Sequence, residues 1–379
     1  MSNVNYIELE VAIDKYINSE EINADNAQQA ISEFNENWKT IVGFVPDINE
    51  DGQSKYGLAL HKLSVAYFNW PETSVNDIRR LSNLIEEYDN NEGSKFFFYL
   101  KWNIYYTVAS CWHKMGTSYD SLAIKALKKY IFYRISPLSH TRYCPTAYVF
   151  KKCDEFLYQA LVNKQLNLSS PAKFNDPFDC PILGLLELEK DYLDLNPLIK
   201  QAYSDCLKIA CFTSNVKLTD NKKKQKKCEE EFLKSLMWAH YADKHKGICI
   251  KYKFNDKSLT KLCCDYNSIL AFFGDVKYYD GDMNVKNDGA ISLEDAFFYK
   301  SKQWEYENEL RYFYYDVNGK DDYATVDISN CAIEAIYFGL DCSKNDEDAI
   351  QTIMKDKNVQ FYKMKMDKNH FGQLKSVPY

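Results

Sequence analysis

Residues 302–314 read KQWEYENELRYFY, and the reading of this stretch decides the fold of the second half of the chain. Taken as a strand, its successive side chains alternate between faces. Glu305, Glu307, Glu309 and Arg311 then line one face. Trp304, Tyr306, Leu310, Tyr312 and Tyr314 line the other, with Asn308 interrupting. The aromatic face suits a core and the charged face suits a cleft or solvent. Carboxylates two residues apart on a strand sit roughly 6.6 Å apart. Their repulsion is about 0.6 kcal/mol in water and about 2.5 kcal/mol at an effective dielectric of 20. A partly enclosed face therefore needs a counter-charge, a metal or a ligand hydroxyl, and Arg311 serves one carboxylate rather than three. A solvated edge strand is the competing reading.

Outward from this stretch, the segments on either side mix strand and helix signals. AYVFK (147–151) reads as a strand, Asp154 to Gln165 as a helix and Leu166 to Ser169 as a further extended piece. KIACF (208–212) reads as a buried strand ending at Thr213-Ser214. In SSPAKFNDPFDCP (169–181), three prolines around Asn175-Asp176 make a rigid turn. Asp176 and Asp179 there either hold a metal or substrate hydroxyl, or cap their own turn. LMWAHYADKHKGICI (236–250) reads as a helix ended by Gly247, with His245 and Lys246 in its last turn, followed by a strand. Its Trp238 and Tyr241 share a face and His240 is offset as a polar cleft contact. The His240–His245 spacing does not match a helical zinc pair. Val276 to Tyr279 is predicted as a strand, Leu293 to Lys302 as a helix, Ala332 to Phe338 as a strand and Val359 to Met364 as the last one.

Residues 1–135 carry helical signals instead. Apolar residues recur at three- and four-residue intervals over Tyr6–Tyr16, Asp25–Val42 and Lys55–Phe68. Ser74 is the predicted cap of a helix through Tyr88. Further helices are predicted over Ser94–Met115 and Ser121–Phe132. Trp112, Met115, Gly116 and Tyr119 reproduce the spacing that opens a tetratricopeptide-like repeat, but no 34-residue self-similarity follows. A generic helical bundle is favoured over true repeats, and either suits a protein-contacting module. ISPLSHTRYCP (135–145) breaks the periodicity with two prolines. The predicted organisation is an all-α domain over 1–135, a linker over 136–146 and a mixed domain over 147–379, an α+β chain in all.

A net charge of −7 argues against nonspecific coating of nucleic acid. NKKKQKKCEEEF (221–232) is read as a solvated loop entering a helix, with a nucleic-acid patch as the minority reading. The 12 cysteines contain no C-x-x-C pair and the N-terminus has no apolar leader, so reduced thiols in a cytoplasmic protein are expected. No apolar run approaches the roughly 18 residues of a membrane span.

The ordered motifs FNDPF, MW-x-x-Y-x-x-x-x-x-G and W-x-Y-E-x-E-x-R, with AYVFK, ACFT and AIYFG, resemble a bacterial family of unknown function, DUF family 2971, over roughly residues 147–365. Lys151 and Val149 stand where that family usually has arginine and lysine, Asp179 where it has glutamate, and Thr213 where it has serine. A weaker resemblance is to ADP-ribosyltransferases, which use a polar anchor on a first strand, a Ser/Thr strand and a Glu-x-Glu strand. Tyr148 with Lys151, Thr213-Ser214 and Glu307-Asn308-Glu309 correspond. This resemblance implies an ADP-ribosyltransferase-like fold with NAD as the substrate and no metal. Glu309 would bind the ribose hydroxyl and face an oxocarbenium-like charge. Glu307 would orient or deprotonate the acceptor, with Arg311 beside them. Lys151 would hold pyrophosphate, and Tyr241 or Trp238 would stack on nicotinamide. Asn175, Asp176 and His240 complete the predicted binding set. The expected role is an NAD-consuming transferase or glycohydrolase, a toxin or phage-defence effector with the helical domain as sensor or partner surface. The alternatives are a metal-dependent nuclease built on Asp176, Asp179, Glu307 and Glu309, and a noncatalytic binding module.

Overall fold

The computed structural model describes residues 21–41, 55–90, 98–136, 146–176, 179–180, 195–214, 235–254, 268–280, 297–329, 331–370 and 373–379. The predicted helix at 6–16, most of the linker, Pro177-Phe178 and the charge run at 221–232 lie outside these residues. The chain forms two compact units. One comprises Met1–Leu138 with Glu189–Tyr203 and Tyr266–Ser268; the other holds the rest.

The first unit is helical. Helices span Ala27–Ile41, Lys55–Asn69, Val75–Asn90, Phe98–Lys114 and Asp120–Ile135. Ser74 opens the third as a reciprocal cap. Its hydroxyl accepts from the Asp77 N–H (3.3 Å), and Asp77 Oδ2 accepts from the Ser74 N–H (2.9 Å). Ile78, Leu81, Ile85 and Tyr88 bury one stripe at the spacing that the sequence shows. Asp89 is also buried, with Lys101 Nζ at 2.8 Å, Lys129 Nζ at 3.0 Å and the Tyr105 hydroxyl at 3.0 Å. His113 pairs its Nδ1 with Asp120 at 2.9 Å.

Among the described residues, the second unit is built on a sheet of 10 strands. These include β1 (Thr146–Lys151), β2 (Gln165–Ser169), β3 (Leu207–Thr213), β4 (Ile248–Lys253) and β5 (Ile269–Asp275). β6 (Lys277–Tyr279) and β7 (Tyr299–Ser301) form a separate parallel pair. β8 (Glu309–Asp316), β9 (Tyr323–Asp327), β10 (Ala332–Phe338), β11 (Gln360–Met366) and β12 (Leu374–Pro378) complete the large sheet. β3 is the hub. One edge runs antiparallel along β8 from Leu207↔Tyr315 to Thr213↔Glu309. The other meets β2 at Ser169↔Ile209 and β1 at Tyr148↔Thr213. The sheet therefore divides at β3, with β4, β10, β11 and β12 beyond β1, and β9 beyond β2. Leu310 and Tyr312 pack with Ala210, Phe212 and Phe273 in the core, which leaves Glu309 and Arg311 on the opposite face.

Four sequence readings change. The 302–314 stretch is a strand only from Glu309; Lys302–Glu307 form a 3-10 turn. Asn308, at φ 45°, makes the left-handed bend between them, a conformation that asparagine tolerates. Leu236–Gly247 is not one helix. The helix spans Ser235–Tyr241, and Asp243, Lys244 and His245 all have positive φ, so His245 and Lys246 do not face a helix C-terminus. Close packing explains the glycine that follows, because a Cβ at Gly247 would lie 2.1 Å from the Lys151 carbonyl oxygen. Residues 299–301 are strand β7 rather than the end of a helix. β12 follows the strand taken as last and pairs antiparallel with β11. Among the described residues, no helix is long and apolar enough to cross a membrane.

Candidate functional site

Three carboxylates and two cations meet where β3, β7 and β8 converge. The register Cys211↔Arg311 and Thr213↔Glu309 fixes two members at the start of β8. The 3-10 turn folds Glu307 back toward β7, whose central residue is Lys300. Lys300 Nζ lies 2.7 Å from Glu307 Oε2, 3.1 Å from Glu309 Oε2 and 3.1 Å from Asp179 Oδ2. It also sits 5.0 Å from the centre of the Trp304 ring. Arg311 is 0% exposed and its Nε donates to Glu309 Oε1 at 2.7 Å. Its Nη2 donates to Asp179 Oδ1, and to Glu309 Oε2 at 3.1 Å. Its Nη1 donates to the Phe297 carbonyl and meets Cys180 Sγ, each at 2.8 Å. Three negative and two positive groups leave one net negative charge.

The cluster floors a cavity of about 150 Å³. Tyr148, Phe150, Phe174, Phe212, Met237 and Tyr241 wall it with apolar and aromatic surface. Asp179, Lys300, Glu307 and Glu309 supply charge, and Asn175, Cys211 and Thr213 supply smaller polar groups. A cavity of roughly this volume holds one benzene-sized ring. The Tyr241 hydroxyl donates to Glu307 Oε1, and the Tyr278 hydroxyl accepts from the Glu309 N–H at 2.8 Å.

The two glutamates are driven in opposite directions. Burial raises Glu307, and the nearby Glu309 charge adds to this; Lys300 and Tyr241 only partly offset it. Burial also pushes Glu309 up, but Arg311 and Lys300 outweigh it and hold its carboxyl at about 2. Burial and Glu307 push Tyr241 well above the ordinary phenol range. Buried Cys180 is pushed up to about 12. The two cations remain charged: burial opposes this in each, and the carboxylates overcome it.

These shifts give a pH signature. A depressed folded value for Glu309 contributes stability that is present above its ordinary 4.5 and is lost as pH falls toward about 2. The gap corresponds to about 3 kcal/mol. Glu307, raised in the fold, acts the other way: its contribution is complete below 4.5 and is lost as pH rises through the folded value. Urea midpoints measured across this range should flatten on the acid side in Glu309→Gln and on the neutral side in Glu307→Gln. Unchanged slopes in both variants would contradict the electrostatics described here.

Of the residues singled out in the sequence, Asp179, Glu307, Glu309, Tyr148, Asn175, Thr213 and Tyr241 line this cavity, with Arg311 behind Glu309. Five others do not. Lys151 follows Tyr148 and Phe150 on β1, and strand alternation turns it to the opposite face. Trp238 is a core residue, edge-on to Phe150 at 5.2 Å. His240 is exposed beside the Tyr241 and Tyr306 rings. The Ser214 hydroxyl donates to the Thr146 carbonyl at 3.4 Å. Asp176 accepts the Asp179 N–H at its carbonyl (3.0 Å), forming the turn that delivers Asp179. Glu305 points to solvent. The residue that the sequence reading missed is Lys300, and its signal was the shortage of positive charge beside three glutamates.

Residues 237–312 match the family model described as "Protein of unknown function (DUF2971)". The matched span contains Met237, Tyr241, Lys300, Glu307 and Glu309 of the cavity and Arg311 behind it, and it supports the DUF2971 resemblance there. No curated protein and no solved structure matches the chain.

Proposed function

We propose that the second unit is an NAD-consuming enzyme that cleaves the nicotinamide–ribose bond, with an ADP-ribosyltransferase-like arrangement around β3 and β8. One observation carries this reading: two carboxylates face the same aromatic-walled cavity, and their surroundings push their proton affinities apart. Such divergence separates an acid/base group from a permanently charged one. Glu307, the more basic of the two, takes the proton from the attacking water or acceptor hydroxyl. Glu309 stays ionised and stabilises the cation that forms at the ribose carbon as the bond electrons leave with nicotinamide. Lys300 and Arg311 fix these carboxylates in place. The cavity volume suits the nicotinamide ring alone, with Tyr148 or Tyr241 beside it, while the remainder of the dinucleotide lies outside.

The same geometry argues against the nuclease alternative. A divalent ion seeks three carboxylates free of internal cations, whereas Lys300 and Arg311 already occupy the inner oxygens of Asp179, Glu307 and Glu309. The helical unit, rich in paired helices, is assigned here to partner contact.

The purified chain is expected to release free nicotinamide from NAD, and Glu307→Gln should slow this by about 100-fold or more. NAD should also raise the melting temperature. No release and no thermal shift would sink the proposal; a thermal shift without release would transfer the site to the binding-module reading.

A further inference from the structure

A second group of reactive side chains converges away from the cavity, where two strands of the sheet end side by side. Lys151 of β1 and Phe338 of β10 both pair with Ile248 of β4. The two strands therefore finish level on either side of β4, and the loops that follow them carry Cys153 and Cys342. The two Sγ atoms and a carboxylate oxygen of Asp346 all lie within 4.8 Å of one another. Cys153 is half-buried and Cys342 is buried.

The backbone around the pair is closely fitted. Cys153 Sγ lies 4.0 Å from the Lys246 carbonyl oxygen. The Asp341 N–H donates to the His245 carbonyl at 3.1 Å, and the Gly339 N–H donates to that of Gly247 at 2.9 Å. A Cβ at Gly339 would stand 2.1 Å from the His245 oxygen. The Cys153 sulfur thus sits against the left-handed turn that ends the Tyr241 helix, and the backbone leading to Cys342 is hydrogen-bonded to the same turn.

Such a cluster either binds a thiophilic metal or forms a bond between its sulfurs. The carboxylate decides between these uses. Asp346 Oδ1 accepts from the Tyr158 hydroxyl at 2.5 Å and Oδ2 from the Ser343 hydroxyl at 2.6 Å. The Asp346 N–H in turn donates to Ser343 Oγ at 3.1 Å. Asp346 is therefore engaged in closing the cap of the helix Lys344–Ile353, which leaves two thiols as the groups free to react. We propose that Cys153 and Cys342 are a modification site, a dithiol that a peroxide closes to a disulfide.

Position assigns the roles: the Lys363 ammonium stands 3.4 Å from the Cys342 carbonyl oxygen, on the Cys342 side of the pair. The hydrogen bond from Cys153 lowers Cys342, and the Lys363 ammonium assists against burial; the same hydrogen bond raises Cys153. Cys342 is the thiolate that attacks and Cys153 the thiol that resolves. The Cys342 sulfur attacks one peroxide oxygen, the O–O bond breaks, and a sulfenic acid forms. The departing hydroxide takes the Cys153 proton and becomes water. The Cys153 sulfur then attacks the sulfenic sulfur, the S–O bond breaks, and the second hydroxide takes up the proton that Cys342 released on ionising. Two thiols lose two electrons, and the peroxide becomes two waters. The sulfurs must close to about 2 Å for this bond.

The test uses the full chain, reduced, freed of reductant and treated with hydrogen peroxide. Unreduced digests should then contain one peptide pair joining Cys153 to Cys342, and dithiothreitol should release it. Cys153→Ser should instead leave Cys342 as a sulfenic acid that dimedone labels. Oxidation at other cysteines with this pair still reduced would overturn the proposal. So would a purified chain holding one zinc ion that masks both thiols until a chelator removes it. The wild-type peptide map does not depend on any variant folding.

Discussion

Arg311→Met is expected to cost about 3–5 kcal/mol of folding stability, as removal of one partner from a buried ion pair does. The methionine fills most of the space but makes none of the polar contacts. Glu309 loses its Nε and Nη2 donors, Asp179 loses its Nη2 donor, and the Phe297 carbonyl loses its Nη1 donor. The cluster's net charge moves from −1 to −2 at a position that solvent does not reach. The residual stability follows from the usual range for a domain, 5–15 kcal/mol, so the variant should be marginal or unfolded. Arg311→Lys should recover only part of the loss, because one ammonium cannot span Glu309, Asp179 and the Phe297 carbonyl as a planar fork does. Urea unfolding of the three proteins measures this directly. A loss below about 1 kcal/mol for Arg311→Met would mean that water or protons already neutralise these carboxylates.

The parts of this fold that were legible in the sequence are those fixed by local pattern. The Ile78, Leu81, Ile85 and Tyr88 stripe and the Ser74 cap need only neighbouring residues, and the helix Val75–Asn90 follows. β1, β3 and β10 announce themselves as short apolar runs. Glu307, Glu309 and Arg311 were recognisable as a group, although the reason given, a continuous strand, holds only from Glu309 onward. What failed was whatever depends on a partner far along the chain. FFYKSK carries no local sign that Lys300 is strand rather than helix; its place is set by pairing with β6 and by the carboxylates that it meets. Lys151 was misassigned because a single cation on a short strand can point either way, and the face is set by which neighbours pack, here Tyr148 and Phe150. The sheet order, with β3 shared among three strands, has no counterpart in any local window. Nor has the meeting of Asp179, in a proline-rich turn, with Arg311 on β8.

Lys300→Met should be the second most damaging change, and its partner Glu307 allows the cause to be isolated. Lys300 is 6% exposed and touches all three carboxylates, so its removal leaves Arg311 as the sole counter-charge among the described residues. The expected loss is again about 3–5 kcal/mol, toward the lower end because one side of the cluster faces the cavity, where water enters. Most of the damage should fall on Glu307, which Arg311 does not reach and which retains only the Tyr241 hydroxyl. If so, neutralising Glu307 in the same chain should restore stability: in Glu307→Gln the amide oxygen still accepts from Tyr241, and no isolated charge remains. Lys300→Met/Glu307→Gln is therefore expected to be more stable than Lys300→Met alone, with a coupling of about 1–3 kcal/mol. The pH dependence should point the same way. Without Lys300 the folded value of Glu307 rises further, so the deficit of Lys300→Met should shrink as pH falls toward 4.5 and grow as pH rises. Additive effects of the two substitutions, with a deficit that ignores pH, would show that Lys300 acts through packing against Trp304 rather than through charge.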